Sequence, residues 1–401
     1  MWIKALHSFM TYMVQQGRLS ITYPDGNVQI YEGQSPGPKV AIALNDPALP
    51  RRIVLSPKMG ISEGYVDGRL TIENDDLEGF LRLCIGNMAA RGGLKTHWPL
   101  EMLRYLGRRA AQFNPASRSR ANVAHHYDLS GALYDLFLDD DRQYSCAYFP
   151  RPDMTLEEAQ DAKKAHIARK LLLRPGMRVL DIGCGWGGMG LTLARDYDAK
   201  VVGVTLSEEQ HKIAVQRAKD AGLEDRADFR LMDYRDVDGQ FDRIVSVGMF
   251  EHVGVPHYRE YFDKIRELLT PEGVALIHTI GRAEPPGTTS PWIQKYIFPG
   301  GYVPALSEMS RAVENAGLMP TDVEIWRLHY ADTLRHWYNR FMQNIDKARA
   351  LYDERFCRMW RYYLLASELT FRLGRQVVFQ MQLAKAHGAV PLSRDYLYRS
   401  N

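Results

Sequence analysis

Cysteine is scarce and unpatterned. Cys84, Cys146, Cys184 and Cys357 form no C-x-x-C pair and no His-spaced cluster. A disulfide framework or a zinc site is therefore not the organising device, and a reducing cytosol fits best. Long apolar runs are missing too: spanning a bilayer takes ~20 consecutive apolar residues, and the stretch 273–277 is broken at once by His278 and Thr279. The opening MWIKALHSFMTYMVQQGR reads as a poor signal peptide, having one lysine and no apolar core before a small-residue cleavage site. Net charge is nearly absent, with 51 Lys+Arg against 48 Asp+Glu giving +3, which argues against a generic nucleic-acid binder. Internal repeats and low-complexity tracts are lacking as well. At 401 residues and 45% hydrophobic composition, the chain is an ordinary globular one of two or three domains.

The small total hides an uneven distribution. From 82 to 120, Arg82, Arg91, Lys95, Arg104, Arg108, Arg109, Arg118 and Arg120 face one acid, Glu101. From 335 to 385 ten basic residues face four acidic ones, so the remainder is net acidic, with Asp139, Asp140 and Asp141 its local extreme. The basic segments interleave with Leu94, Trp98, Leu103 and Tyr105, then with Trp337, Tyr338, Phe341, Trp360 and Tyr362. Solvated helix faces would account for many of these charges, but the aromatic interleaving favours an anionic membrane surface or another anionic partner.

Residues 1–112 read as a small α+β domain. Leu19, Ile21 and Tyr23, the turn Pro24-Asp25-Gly26-Asn27, then Val28 and Ile30 predict a β-hairpin. Further short strands are expected at 40–44, 52–55 and 70–73, followed by a helix capped by Asp75 or Asp76. The likeliest linker by composition is 112–120. Residues 113–401 form the second expected domain. Strands at 178–182, 200–205, 241–247 and 273–279 alternate with helices at 188–197 and 258–269, and Ser207 caps a helix behind Glu208 and Glu209. That alternation predicts a doubly wound, Rossmann-like parallel sheet. From Pro285 a long Pro/Gly-rich loop, read as a lid, leads into amphipathic C-terminal helices.

The strongest local signal is Val179-Leu180-Asp181-Ile182-Gly183-Cys184-Gly185-Trp186-Gly187-Gly188. A strand ends, glycines turn the backbone, and a helix begins, which places a ligand at the carboxyl edge of the sheet. Gly183, Gly185 and Gly188 obey the dinucleotide spacing, but the second strand ends in Thr205 rather than in a ribose-binding acid. S-adenosylmethionine suits the order better, with Asp181, the glycine turn, Met232-Asp233-Tyr234 and Phe250-Glu251-His252 at successive strand ends. Asp233 can accept from an adenine amino group while Tyr234 packs on the base.

Tyr144-Ser145-Cys146-Ala147-Tyr148-Phe149, Gly203-Val204-Thr205-Leu206-Ser207 with Gln210, and Phe250-Glu251-His252-Val253-Gly254 resemble the cyclopropane-fatty-acyl-phospholipid synthase family. So do His278-Thr279-Ile280-Gly281, Ile297-Phe298-Pro299-Gly300-Gly301 and His329-Tyr330-Ala331-Asp332-Thr333-Leu334. Mycolic-acid cyclopropane synthases and related fatty-acid C-methyltransferases share the set, which spans residues 121–341 here. The resemblance implies a class I methyltransferase sheet with an extra N-terminal lipid-binding domain. It implies Tyr144, Ser145, Gly183 and Gly185 around the methionine end of the cofactor, Thr205 and Gln210 near its ribose, and Asp233, Tyr234 and Arg235 around adenine. It further implies that Glu251, His278 and Tyr330, with backbone from Cys146 and Ile280, hold a bicarbonate ion that serves as base. Many relatives carry a cysteine ahead of the Phe371-Arg372 pair; here Ser367 precedes it, which argues against a covalent cysteine mechanism.

The implied reaction is methyl transfer to a cis double bond of a phospholipid acyl chain, followed by ring closure. Its demands are in-line alignment, exclusion of water, a base, and aromatic faces for a carbocation. Tyr144, Tyr148, Phe250, Phe298, Tyr302 and Tyr330 are the aromatic candidates. Methyl branching without ring closure is the alternative reading, and a non-catalytic lipid-binding protein a more distant one. The implied setting is the cytoplasm, peripherally on the inner face of an anionic membrane holding unsaturated phospholipid, with no nucleic acid or metal and with a homodimer left open.

Overall fold

A computed structural model describes residues 1–91, 107, 112 and 130–398. The expected linker beyond Gln112 and most of the first basic segment (Lys95, Arg104, Arg108, Arg109, Arg118 and Arg120, with Leu94, Trp98, Leu103 and Tyr105) lie outside the described residues.

The expected hairpin forms from strands β1 (Gln16–Thr22) and β2 (Val28–Glu32), antiparallel across a turn in which Gly26 takes φ +80°. Strand β3 (Ser35–Leu44) runs parallel to β1, and β4 (Leu70–Ile72) pairs antiparallel with β3. Of the two candidate caps, Asp76 is the one used: its side chain accepts from the Gly79 N–H at 2.8 Å and starts the helix Leu77–Ala90. One expected strand is corrected. Residues 52–55 belong to a helix, Leu49–Leu55, begun by Pro50 in its first turn and burying Leu49, Pro50 and Ile53. A four-residue apolar window cannot separate a two-residue from a 3.6-residue period, and the proline settled it.

The compact units of the chain are not continuous in sequence. The chain divides into two compact units, one of Met1–Arg104, Thr289–Ile297 and Leu334–Arg375, the other of Tyr105–Thr288, Phe298–Thr333 and Gln376–Asn401. Thus the C-terminal helices, expected with the second domain, join the first unit. The reason is burial: the helix Glu354–Leu373 hides Cys357, Trp360, Leu364 and Leu365 and packs on the helices Leu77–Ala90 and Pro57–Val66. Polar ties reinforce it, with Tyr362 Oη to Ser62 Oγ at 2.9 Å and Arg361 to Asp75 at 2.5 Å. Part of the expected lid loop goes the same way, because Glu63 accepts from Lys295 at 2.8 Å and from Tyr296 at 2.7 Å.

In the second unit seven strands make one sheet: β5 (Arg178–Ile182), β6 (Lys200–Thr205), β7 (Ala227–Leu231), β8 (Phe241–Val247), β9 (Leu269–Arg282), β10 (Met319–Trp326) and β11 (Gln376–Ala384). Their order is β10-β11-β9-β8-β5-β6-β7, parallel except where β11 runs antiparallel to β9 and β10. Alternate residues feed opposite faces: Leu180, Ile244 and Ala275 enter one core cluster, Val179, Val245 and Leu276 the other. Both faces are covered, as expected for a doubly wound sheet. Strand order reverses between β5 and β8, and ligands of such sheets bind outside the carboxyl ends at that point.

Candidate functional site

A cavity of about 160 Å³ opens there, at the carboxyl ends of β5, β6, β7 and β8. Every residue expected around the cofactor lines it: Tyr144 and Ser145, Asp181, Gly183 and Gly185, Thr205 and Gln210, and Asp233, Tyr234 and Arg235. Gly183 takes φ +78°, and a Cβ there would sit 2.8 Å from Met249 Cβ, so the turn admits no side chain. Gly185 has φ +55° and open space where its Cβ would be, leaving bare backbone toward the cavity.

Local bonds set each wall. Ser207 caps the helix Glu208–Asp220 by accepting from the Gln210 N–H, and Thr205 Oγ1 donates to Gln210 Oε1 at 3.0 Å, fixing both side chains. The Arg235 guanidinium grips the Asp233 carboxylate at 2.9 and 2.7 Å and fixes its orientation at the wall. Asp181 is buried, its Oδ2 without a hydrogen-bond partner among the described residues, and burial pushes its carboxyl up to about 7.

Within the acidic triplet Asp140 is exposed, while Asp139 and Asp141 form a scaffold. Asp139 accepts from the backbone N–H of Gln143 at 2.9 Å and of Asp141 at 3.1 Å; Asp141 is paired with Lys164 and Arg217. This bends the chain so that residues 143–145 reach the cavity. Beneath them lies Lys163, wholly buried, donating to Gln143 Oε1 at 2.6 Å and Ser145 Oγ at 2.9 Å. Sequence reasoning missed Lys163, since nothing in its neighbourhood distinguishes it from the exposed lysines of other helices.

Of the residues expected to hold bicarbonate, Glu251, His278, Tyr330 and Cys146 are buried and Ile280 is half-buried, and all five lie outside the cavity lining. Glu251 lies in the short turn Phe250–His252 after β8 and precedes His252, which does line the cavity. Its Oε1 accepts from the Ile280 N–H at 2.7 Å, and its Oε2 has no partner among the described residues. Burial raises its carboxyl to about 7 against the opposing pull of that amide. The Ile280 amide, expected as an anion donor, is therefore engaged by Glu251 itself. His278 lies on β9 and receives Gln380 Nε2 at its Nδ1, 3.1 Å away, and burial lowers its pKa well below the ordinary value. Cys146 neighbours the helix His329–Gln343 that carries Tyr330, since the Ala147 N–H donates to Thr333 Oγ1 at 3.0 Å and the Phe149 N–H to His329 Nδ1 at 3.2 Å. Burial pushes the Cys146 and Cys184 thiols up, away from thiolate chemistry.

The aromatic candidates separate. Phe250 packs in the core against Tyr258 and Tyr261, and Tyr148 stacks on both His166 and Trp326, which also touch each other. Tyr302 donates to Glu308. Tyr144 stays at the cavity, and Phe298 stands edge-on to His252. Gln380 was also missed, although a glutamine inside Val377-Val378-Phe379-Gln380-Met381 is a readable anomaly.

Sheet order, glycine turn and cavity together define a class I S-adenosylmethionine-dependent methyltransferase. The model of the mycolic acid cyclopropane synthetase family matches residues 115–381, and the chain belongs to that family. It is 43% identical over 336 residues to the cyclopropane-fatty-acyl-phospholipid synthase of Escherichia coli K12, covering 82% of this chain and 84% of that one. It is 39% identical over 376 residues to a probable fatty acid methyltransferase of Pseudomonas putida, covering 91% and 93%. Among solved structures it is similar to the mycolic acid cyclopropane synthase CmaA1 complexed with SAH and CTAB, with a TM-score of 0.64 and 36% identity over 68% of this chain and 99% of that one.

Proposed function

We propose that the protein transfers the methyl carbon of S-adenosylmethionine to a cis double bond of a phospholipid acyl chain and closes a cyclopropane ring. The observation that carries this reading is the buried, unpartnered Glu251 Oε2 next to the cofactor cavity, with the Nε2 of the buried His278 also lacking a hydrogen-bond partner among the described residues. The cavity fits the cofactor through the bare Gly185 backbone and the unpartnered Asp181 Oδ2, with Tyr144 and Ser145, Thr205 and Gln210, and Asp233, Tyr234 and Arg235 as its other walls. When bound, S-adenosylmethionine supplies an electrophilic sulfonium methyl.

Glu251, in its carboxylate form, accepts a proton-bearing oxygen at Oε2, while the Ile280 N–H keeps Oε1 in place. Bicarbonate suits this pair as base, with Glu251 accepting and His278 and Tyr330 donating; Ile280 acts by holding Glu251. Burial of these groups excludes water, which a carbocation requires. The substrate is met at an anionic membrane surface through the 82–120 segment. The 335–385 segment contributes less, because Trp337, Phe341 and Trp360 are buried and Arg335, Arg355, Arg361 and Arg372 are ion-paired. Among the described residues no helix is long and apolar enough to cross a membrane.

Methyl branching without ring closure is the second reading, favoured by the extent of the match to the Pseudomonas putida relative. Proton NMR with mass spectrometry of lipids from a host expressing the protein separates the two: cyclopropane methylene protons mark the ring, whereas proton loss without closure leaves an isomeric branched alkene, which a host reductase using a reduced nicotinamide converts to a saturated branched acid two hydrogens heavier. A cyclopropane acid supports the proposal; a saturated branched acid replaces it with the second reading. Unmodified lipids despite confirmed cofactor binding overturn the substrate assignment.

A further inference from the structure

Strand β11 is buried along almost its whole length and apolar at its centre except for Gln380 and Gln382. A buried amide lowers stability unless its polar atoms find partners. Gln382 finds them: its Nε2 donates to the Lys170 carbonyl at 2.6 Å, and its Oε1 accepts from Thr321 Oγ1 at 2.8 Å. Gln380 does not. Its Nε2 lies 3.1 Å from His278 Nδ1, directly across the antiparallel register, and its Oε1 is buried without a partner among the described residues. A strand that leaves half an amide unsatisfied keeps the residue for its one contact.

That contact has a fixed polarity. An amide nitrogen only donates, so Nδ1 must accept and carry no proton. His278 is held neutral by burial, with Lys163 and Lys170 adding to the effect and Glu324 opposing it. A neutral imidazole without a proton on Nδ1 carries it on Nε2, and Nε2 has no partner among the described residues. We propose that Gln380 is a positioning residue that holds His278 in the Nε2–H tautomer, making the nitrogen offered to the site a donor to an oxyanion. The inference rests on the reading of His278 as part of the base site. It assigns the proton-accepting role to Glu251 and removes it from His278.

The test is 15N NMR of the full chain labelled at its histidine rings, with His278 assigned by the signal lost in His278→Gln. A ring protonated at Nε2 is expected in the wild type. In Gln380→Glu a proton should appear on Nδ1, because a carboxylate can only accept. A wild-type ring protonated on Nδ1 overturns the proposal. In steady state Gln380→Met is expected to lower kcat about tenfold, the weight of one hydrogen bond, with KM for S-adenosylmethionine within about twofold. An unchanged kcat in Gln380→Met overturns the positioning role. Full activity in His278→Gln overturns the base-site reading instead, and the tautomer is then decided by the spectrum alone.

Discussion

In the proposed reaction, Glu251 is the side chain that joins the cofactor cavity to the chemistry beyond it. Burial holds its carboxyl near 7, so at neutral pH it divides between two forms, of which only the carboxylate can accept a proton. Turnover is therefore expected to rise as pH climbs through about 7. Glu251→Gln should abolish turnover while leaving S-adenosylhomocysteine affinity, read by titration calorimetry, largely intact; an active variant would remove Glu251 from the base site. The two glycines make a sharper pair. Gly183→Ala must accept both a positive φ and a clash with Met249, whereas Gly185→Ala meets only the former. The first should weaken cofactor binding more, by about tenfold in Kd, because only its Cβ forces the turn away from Met249. The residues at strand ends were legible because a strand followed by glycine places its next residues on one edge of the sheet. Lys163 and Gln380 were not, since their roles depend on which residues of other elements surround them.

Elements were legible where local chemistry and period agreed. Ser207 and Asp76 start helices because each offers an oxygen to a free N–H, and strands β5, β6 and β8 are short, mostly buried runs. The C-terminal part was less readable. Residues 319–326 and 376–384 are strands β10 and β11, whereas only helices were expected there. Strand β10 is a partly exposed edge, and β11 resembles a buried helix segment until its antiparallel neighbours are known. The helix Leu156–Lys170, which carries Lys163, begins with a capping box in which Thr155 and Glu158 exchange hydrogen bonds. Thr155→Ala is expected to cost about 1 kcal/mol in a denaturant or thermal melt. Activity should follow only as far as Lys163 is displaced.

For the molecule as a whole, Asp181 and Glu251 make stability depend on pH in an uncommon direction. Both carboxyls sit near 7 in the folded state, against about 4 in an unfolded chain. The folded protein thus holds these protons more tightly. Their contribution is complete below about pH 4 and is lost as pH rises through about 7. The melting temperature should fall less between about pH 6 and pH 8 in Glu251→Gln than in the wild type; an equal fall would show that Glu251 is not the group responsible. At the surface, vesicle binding should strengthen with anionic lipid and weaken with salt, at ~1 kcal/mol per Lys or Arg engaged. Salt-insensitive sedimentation with vesicles would count against the membrane assignment.

The division of the chain also bears on how it is made. The first unit needs Leu334–Arg375 to cover the helices it formed from the amino-terminal residues. The sheet of the second unit needs the very next segment, β11, to join β9 to β10. On a ribosome, both units therefore wait with an apolar face uncovered while more than half of the protein is already outside. Consecutive stretches of late-emerging chain then complete one and the other. Nascent chains halted before residue 334 should be held by chaperones with neither unit protease-resistant, and the two should gain resistance within the same short interval of elongation.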